Sequence, residues 1–324
     1  MYIAGLLGLA VMLALILREG AGSIADLSEV GWTLLWLVPL HVLPLMLDVS
    51  SWRVLLAPAD PGRRAGLRAL FAIAAVREAI NRLLPVANVG GEIVGVRLLV
   101  LRGLPVAPAA ASVVVEVSLT IVAEYIFVAI GVLCLLRVTG AVPLTAHVLL
   151  ALALSLPVVV LIFLLLRNGA GIERFGRLIE RTLGARWGRL GEHTARLDAE
   201  IRRLYRARRR LLVSLAWQVA AFCAGTIETW LVLHWLGAPV SFADALALES
   251  LAQAIRHMAF LVPAGLGVQE AGLIAFGHLI GVSSEAALAL SLAKRMREIL
   301  FGVPALLAWQ WVEGRRLVWQ RAKS

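Results

Sequence analysis

Apolar residues run almost unbroken through six stretches of this chain, near residues 2–18, 31–56, 106–136, 143–166, 211–236 and 285–312. Each reads as a helix crossing a hydrocarbon core of about 30 Å, a distance that takes about 20 helical residues. Segments 67–103 and 242–282 read differently. Each is a helix, a break rich in proline and glycine, and a second helix: 66–84 then 91–102, and 242–261 then 268–280. Irregular backbone at membrane depth is tolerated only where protein or a wet cavity satisfies its freed polar groups. Both segments are therefore expected to be re-entrant hairpins, entering and leaving by one membrane face. The competing pattern is a plain bundle of seven or eight helices, with 67–84 an amphipathic surface helix.

The two breaks echo each other. Pro85-Val-Ala-Asn-Val-Gly-Gly-Glu92 and Pro263-Ala-Gly-Leu-Gly-Val-Gln-Glu270 each place a glutamate seven residues after a proline. The same offset of 178 residues carries Gly103 onto Gly281, Ala109 and Ala111 onto Ala287 and Ala289, and Trp52 onto Trp230. It also carries Glu116 onto Lys294, so one equivalent position bears opposite charges. Chance identity among Ala, Leu, Val and Gly is the alternative to a true repeat. Repeated, broken apolar segments are the sequence pointer to a transporter-type site between two halves. Three crossings separate the hairpins, and an odd number inverts one copy relative to the other. The expected fold is an all-α polytopic integral membrane protein: about six transmembrane helices plus two broken re-entrant hairpins in an inverted-topology repeat. Residues 1–324 form a single membrane domain, with half one at 31–136 and half two at 211–312.

Composition agrees. With 60% hydrophobic residues and a mean hydropathy of +0.87, the chain is no soluble globule. The net charge of +10 is carried almost wholly by arginine in segments flanking apolar spans. That placement fits cytoplasmic loops beside anionic headgroups and argues against a nucleic-acid partner. The basic segments are 167–210, with Arg202, Arg203, Arg206 and Arg208 to Arg210, then Arg63, Arg64 and Arg68, and a tail with Arg315, Arg316, Arg321 and Lys323. All three are expected on the cytoplasmic side, which puts both termini there. The acidic residues Glu19, Asp26 and Glu29 suit an external loop. Segment 167–210 reads as a cytoplasmic helical hairpin along the membrane surface. Cys134 and Cys223 lie inside apolar spans, so neither a disulfide framework nor a cysteine metal site is expected. The first apolar stretch lacks a basic n-region and reads as a retained helix. Trp32, Trp52, Trp235, Trp309 and Trp311 fall near span ends and suit an interfacial aromatic belt.

Charges inside apolar spans are costly and mark a functional site by default. Ser112, Glu116, Thr120 and Glu124 recur every four residues and form one helical stripe. The other half answers with Lys294, Arg295, Arg297 and Glu298. A midplane pair of Glu116 with Lys294 or Arg297 is expected, either locking the halves together or serving transport. The breaks supply Asn88, Gly90, Gly91 and Glu92 at one tip and Gly265, Gly267, Gln269 and Glu270 at the other. Glycine permits tight turns there, and helix N-termini attract anions. Glu92 and Glu270 in first turns also simply suit the positive helix end. Arg77, Glu78, Asn81 and Arg82 on the first hairpin face a similar set on the second: Glu249, Gln253, Arg256 and His257. Arginine there can hold an anionic headgroup as a fork, snorkel to the interface, or pair with Glu78. Glu228 reads as an internal packing partner. The Gly-Gly-Glu run lacks the Lys-Ser/Thr and the strand of a nucleotide site, and no cofactor, metal or catalytic residue is expected.

The run L-P-V-A-N-V-G-G-E-I-V-G-V-R-L-L, the helix A-A-A-S-V-V-V-E, and the later V-P-A-G-L-G-V-Q-E-A-G and S-L-A-K-R-M-R-E resemble the lysylphosphatidylglycerol synthase transmembrane family, also called flippase-like. Within it the motifs resemble the hopanoid-biosynthesis-associated branch. The resemblance spans nearly the whole chain and places Glu92, Arg97, Glu116, Glu270, Lys294 and Arg297 at family-motif positions. It implies a lipid translocase of the bacterial inner membrane, not an enzyme, with membrane lipids and lipid-biosynthesis enzymes as partners. Full synthases add a large soluble aminoacyl-transferase domain; this chain ends soon after its last span, so synthase activity is not expected. A membrane-embedded lipid-modifying transferase and a non-catalytic scaffold are the competing functions.

Overall fold

A computed structural model describes residues 2–84, 89–139, 156–157, 188–258, 262 and 265–321. Every regular element among them is helical: α1 (Tyr2–Val30), α2 (Leu37–Leu56), α3 (Leu67–Leu83), α4 (Gly90–Leu101), α5 (Val106–Thr139), α6 (Gly188–Arg206), α7 (Arg208–Trp235), α8 (Phe242–Met258), α9 (Val268–Leu279) and α10 (Ser284–Arg321), with a 3₁₀ turn at Gly31–Trp36. Three stretches of these residues are long and apolar enough to span a membrane: Gly22–Leu56, Val106–Arg137 and Arg208–Trp235. The expected crossing at 143–166 and the segment 167–187 lie outside the described residues, apart from 156–157.

One expectation about spans is corrected. No loop separates 2–18 from 31–56, because α1 continues as helix through residues 19–30. No proline ends the helix there, and packing against α10 holds it: Ser23 Oγ donates to the Glu285 carbonyl at 3.0 Å, and Gly22 lies against the Glu285 side chain. A 3₁₀ turn follows at Gly31, whose φ of +54° favours glycine. Residues 285–312 fall within the 38-residue α10. That helix is not among the three apolar stretches, and Lys294, Arg295, Arg297 and Glu298 sit within it. Those charges are neutralised by protein.

The Pro/Gly breaks do divide their segments. The first hairpin pairs a 17-residue helix, α3, with the 12-residue α4; the second repeats those lengths in α8 and α9. Twelve residues rise only about 18 Å, too little for a hydrocarbon core of about 30 Å. Arg64 Nη1 donates to the Gly103 carbonyl at 3.0 Å and ties the two ends of the first hairpin together. Asp60 fixes the preceding loop by accepting from the Arg64 and Ala65 amides at 2.8 Å each.

Packing follows one pattern in both halves. The most extensive helix contact joins α2 to α7. The first hairpin helix α3 lies on α10, and its counterpart α8 lies on α5. Within each hairpin the short helix then returns to the long helix that follows it, α4 to α5 and α9 to α10. Glycines seat the crossed contacts. A Cβ at Gly302 would come within 2.8 Å of Leu83 on α3, and one at Gly131 would overlap Ser250 on α8. One apolar core gathers Val49, Trp52, Leu70 and Leu99, and another gathers Leu233, Leu248, Leu273 and Leu290. Helix α6 packs Ile201, Leu204 and Tyr205 onto α5 and α2.

Candidate functional site

Arg77 is the centre of the first half. It projects from α3, is buried, and donates from Nη1 to both Glu116 oxygens, at 2.9 and 3.2 Å. Its other terminal nitrogen pairs with Glu92 in the first turn of α4. The guanidinium lies 4.4 Å from the centre of the Trp52 ring, and Trp52 Nε1 donates to Ser112 Oγ at 3.1 Å. Trp52 is therefore no belt residue: it is fully buried, and its ring faces a cation. Asn81 accepts the Gly91 amide proton at 2.9 Å and reaches Glu92 at 3.3 Å.

This arrangement needs glycine on α4. A Cβ at Gly91 would stand 2.4 Å from the Arg77 carbonyl oxygen, and one at Gly95 would stand 2.6 Å from Arg77 Cδ. Backbone cannot yield as a side chain does, so Gly91→Ala should destabilise the protein by roughly 1–3 kcal/mol, the usual range for overpacking. Thermal unfolding in detergent checks this, and an unchanged midpoint would show that α4 has room to shift.

The second half solves the same problem with the charges exchanged. Lys294 on α10 pairs with Glu249 on α8. Glu249 also accepts from Thr229 Oγ1 at 2.5 Å and from Gln253 Nε2 at 3.0 Å. Glu270 accepts from Arg295 Nε and Ser291 Oγ, both at 3.2 Å, and is fully buried. Its Oε2 makes no hydrogen bond to the described residues. Gln269 donates to Ser291 at 3.0 Å and accepts from Arg256 at 3.4 Å. The expected pair of Glu116 with Lys294 or Arg297 does not form. Each long-helix charge is neutralised by the first helix of its own hairpin: Glu116 by Arg77, Lys294 by Glu249.

The halves meet at Glu298. Its carboxylate lies 3.9 Å from Arg82, 3.7 Å from Arg256, 3.4 Å from Arg295 and 3.8 Å from Arg297. Arg82 ends the first helix of one hairpin and Arg256 the first helix of the other. From Lys294 to Glu298 of α10, α8 advances from Glu249 to Arg256. From Glu298 to Phe301, α3 steps back from Arg82 to Phe71, whose ring lies 6.5 Å from that of Phe301. The helices α3 and α8 thus approach Glu298 from opposite ends of α10.

Beside Glu298 stands His41 of α2. Its Nε2 lies 2.9 Å from Glu78 and its Nδ1 2.9 Å from Glu228. Arg297 also closes on Nδ1 and reaches Glu228 at 3.2 Å. With a proton on Nδ1 the ring donates to Glu228; without it, Nδ1 accepts from Arg297. Phe301 meets the ring edge-on at 5.1 Å. The space among His41, Glu78, Arg82, Arg297 and Glu298 is about 10 Å³, enough for one water at most. The site is closed.

Not every expected residue joins it. Arg97 is more than half exposed and pairs with Glu313 far along α10. The Thr120 hydroxyl donates to the Glu116 carbonyl at 3.0 Å within α5, and Glu124 sits one turn further on, partly buried. Gly90 is half-buried at the start of α4. Gly265 and Gly267 have φ of +60° and +74°, which L side chains rarely adopt. Asn88 lies outside the described residues. Sequence reasoning missed His41 and also Asp48, whose carboxylate acts on Arg77, and misread Trp52. The rule that found Glu116, a titratable group inside an apolar run, applies equally to His41 and Asp48 within 31–56.

Apolar spanning helices around a buried network of ion pairs define a multi-pass helical membrane protein. The chain belongs to the family described as the lysylphosphatidylglycerol synthase TM region, whose model matches residues 2–305. Membership marks it as a membrane protein of lipid metabolism. No curated protein and no solved structure matches it.

Proposed function

We propose that this protein is a translocase that moves lipids between membrane leaflets through a site where two inverted hairpins meet. The observation that carries this reading is the approach of α3 and α8 to Glu298 from opposite ends of α10. Equal helix lengths in the two hairpins and the crossed packing of α3 on α10 and α8 on α5 support an inverted repeat. Such repeats place substrate sites at their interface, and alternating access comes from rocking one half against the other.

The chemistry suits an anionic headgroup. Arg82 and Arg256 hold Glu298 only loosely, at 3.9 and 3.7 Å. A headgroup phosphate offers the same guanidinium groups a stronger, forked partner, and it would replace Glu298 as the hairpins part. The space of about 10 Å³ excludes any lipid until they do. Hopanoid, isoprenoid and phospholipid-type lipids are the substrate classes proposed, hopanoids on the resemblance to that branch. The protein forms no bond in this scheme. We place it in the bacterial inner membrane with both termini cytoplasmic, because its arginine-rich segments suit that side; cysteine labelling that found position 190 outside would reverse this.

Leaflet-resolved scrambling in proteoliposomes, run across a panel of headgroups, tests the function. Accelerated exchange of at least one lipid class is expected. Exchange equal to protein-free vesicles for every headgroup would leave scaffolding of lipid-synthesis enzymes as the better account.

A further inference from the structure

A second cavity lies away from the central network, where α2 ends and α5 and α7 begin. It is a half-open cleft of about 500 Å³, within the usual range for ligand pockets. Its polar wall is Arg203, Arg208, Arg209 and Arg210, with Glu200 beside Arg203 at 3.5 Å. Its apolar wall is Leu55, Pro58, Ala59, Pro108 and Leu204.

Three of these arginines sit awkwardly for a helix on its own. Arg208, Arg209 and Arg210 form the first turn of α7, which holds no acidic residue. A helix start carries positive partial charge, so cations there oppose it. All three are exposed, and none has an ion-pair partner among the described residues. An anion in the cavity would relieve both the repulsion between these side chains and their conflict with the helix end. Arginine favours phosphate in particular, since its planar fork matches two phosphate oxygens.

We propose that this cavity binds the phosphate of a membrane lipid, with the start of the acyl chains lying on the apolar wall. The cation cluster alone would suit any phosphate; the adjoining wall of Leu55, Pro58, Ala59 and Leu204 selects one attached to a hydrophobic chain. This site is separate from the hairpin junction, and its occupancy does not depend on lipid transport. A plain topological role for the arginines is the rival account, because basic residues at span ends orient a membrane protein without binding any particular lipid.

The test is lipid retention. Full-length protein is exchanged from phosphatidic acid into phosphatidylcholine nanodiscs, and bound lipid is counted by native mass spectrometry. The wild type should retain phosphatidic acid selectively. A basic residue near an anionic surface contributes roughly fivefold, so R208Q/R209Q/R210Q together should lower retention about a hundredfold. That triple change could also disturb insertion, so Ala59→Trp provides the second arm, filling the cavity and keeping every charge. It should lower retention at least tenfold. Wild-type retention by Ala59→Trp would overturn the proposal, since the arginines would then act as a diffuse surface. Glycerol phosphate binding as tightly as the lipid would overturn it too, by assigning a soluble ligand.

Discussion

Arg77→Met should destabilise the protein by about 3–5 kcal/mol, the usual result of stranding one member of a buried ion pair. The variant leaves Glu116 buried at 2% exposure and removes the partner of Glu92. It also removes the cation from the face of Trp52. Lysine cannot substitute, because one ammonium cannot reach two carboxylates and lie flat on an indole. Arg77→Lys should therefore recover only part of the loss. Arg77→Met combined with Glu116→Gln should recover more, since the second change removes the stranded charge. Unfolding midpoints and the yield of monodisperse protein in detergent read all three. If the double variant is merely additive, Arg77 and Glu116 are not coupled.

Removing Glu298 should have the largest effect on transport. Arg82, Arg256, Arg295 and Arg297 all lie within 4 Å of its carboxylate, so Glu298→Ala takes the ion-pair partner from Arg82 and Arg256 and leaves them beside Arg295 and Arg297, which keep Glu270 and Glu228. Folded protein should fall sharply, by the same mechanism as for Arg77. Glu298→Gln is the more informative change, since it keeps two hydrogen-bonding atoms and discards the charge. Scrambling by that variant should drop at least tenfold, because the junction can no longer be closed by a carboxylate that a phosphate displaces. A Glu298→Gln protein that scrambles at the wild-type rate would remove Glu298 from the mechanism. Lys294→Met is the contrast: it unpairs Glu249 alone and should lower stability while leaving the residues around Glu298 in place.

The helix breaks were legible because proline and glycine interrupt apolar runs, and the second helix of each pair is left with only 12 residues. The site was legible in part. Charge within an apolar span drew attention to Glu116, Lys294 and Glu298, and the hairpins and their breaks drew it to Arg77, Glu92 and Glu270; all six take part in ion pairs. The partners were wrong for a geometric reason. The offset of 178 residues sets Glu116 against Lys294 in sequence and fixes no distance between them. Each turns to its own hairpin, Glu116 to Arg77 and Lys294 to Glu249. Trp52 was misplaced because an indole near a span end suits an interface or an interior equally, and only the Ser112 acceptor and the Arg77 guanidinium decide. Helix 19–30 was hidden by its acidic residues, which suggested a loop where packing on Glu285 imposes a helix.

The pairing within each half bears on how the chain is made. Arg77 and Glu116 are separated by 39 positions, and Glu249 and Lys294 by 45. At about 5–20 residues per second, a ribosome supplies either missing partner in roughly 2–9 s. A Glu116–Lys294 pair would have kept the glutamate waiting for 178 residues, or about 9–36 s. A lone charge at the centre of a span costs roughly 2.5–3.5 kcal/mol on insertion scales. Closing each pair early shortens the time for which the nascent chain must hold an unneutralised charge in lipid.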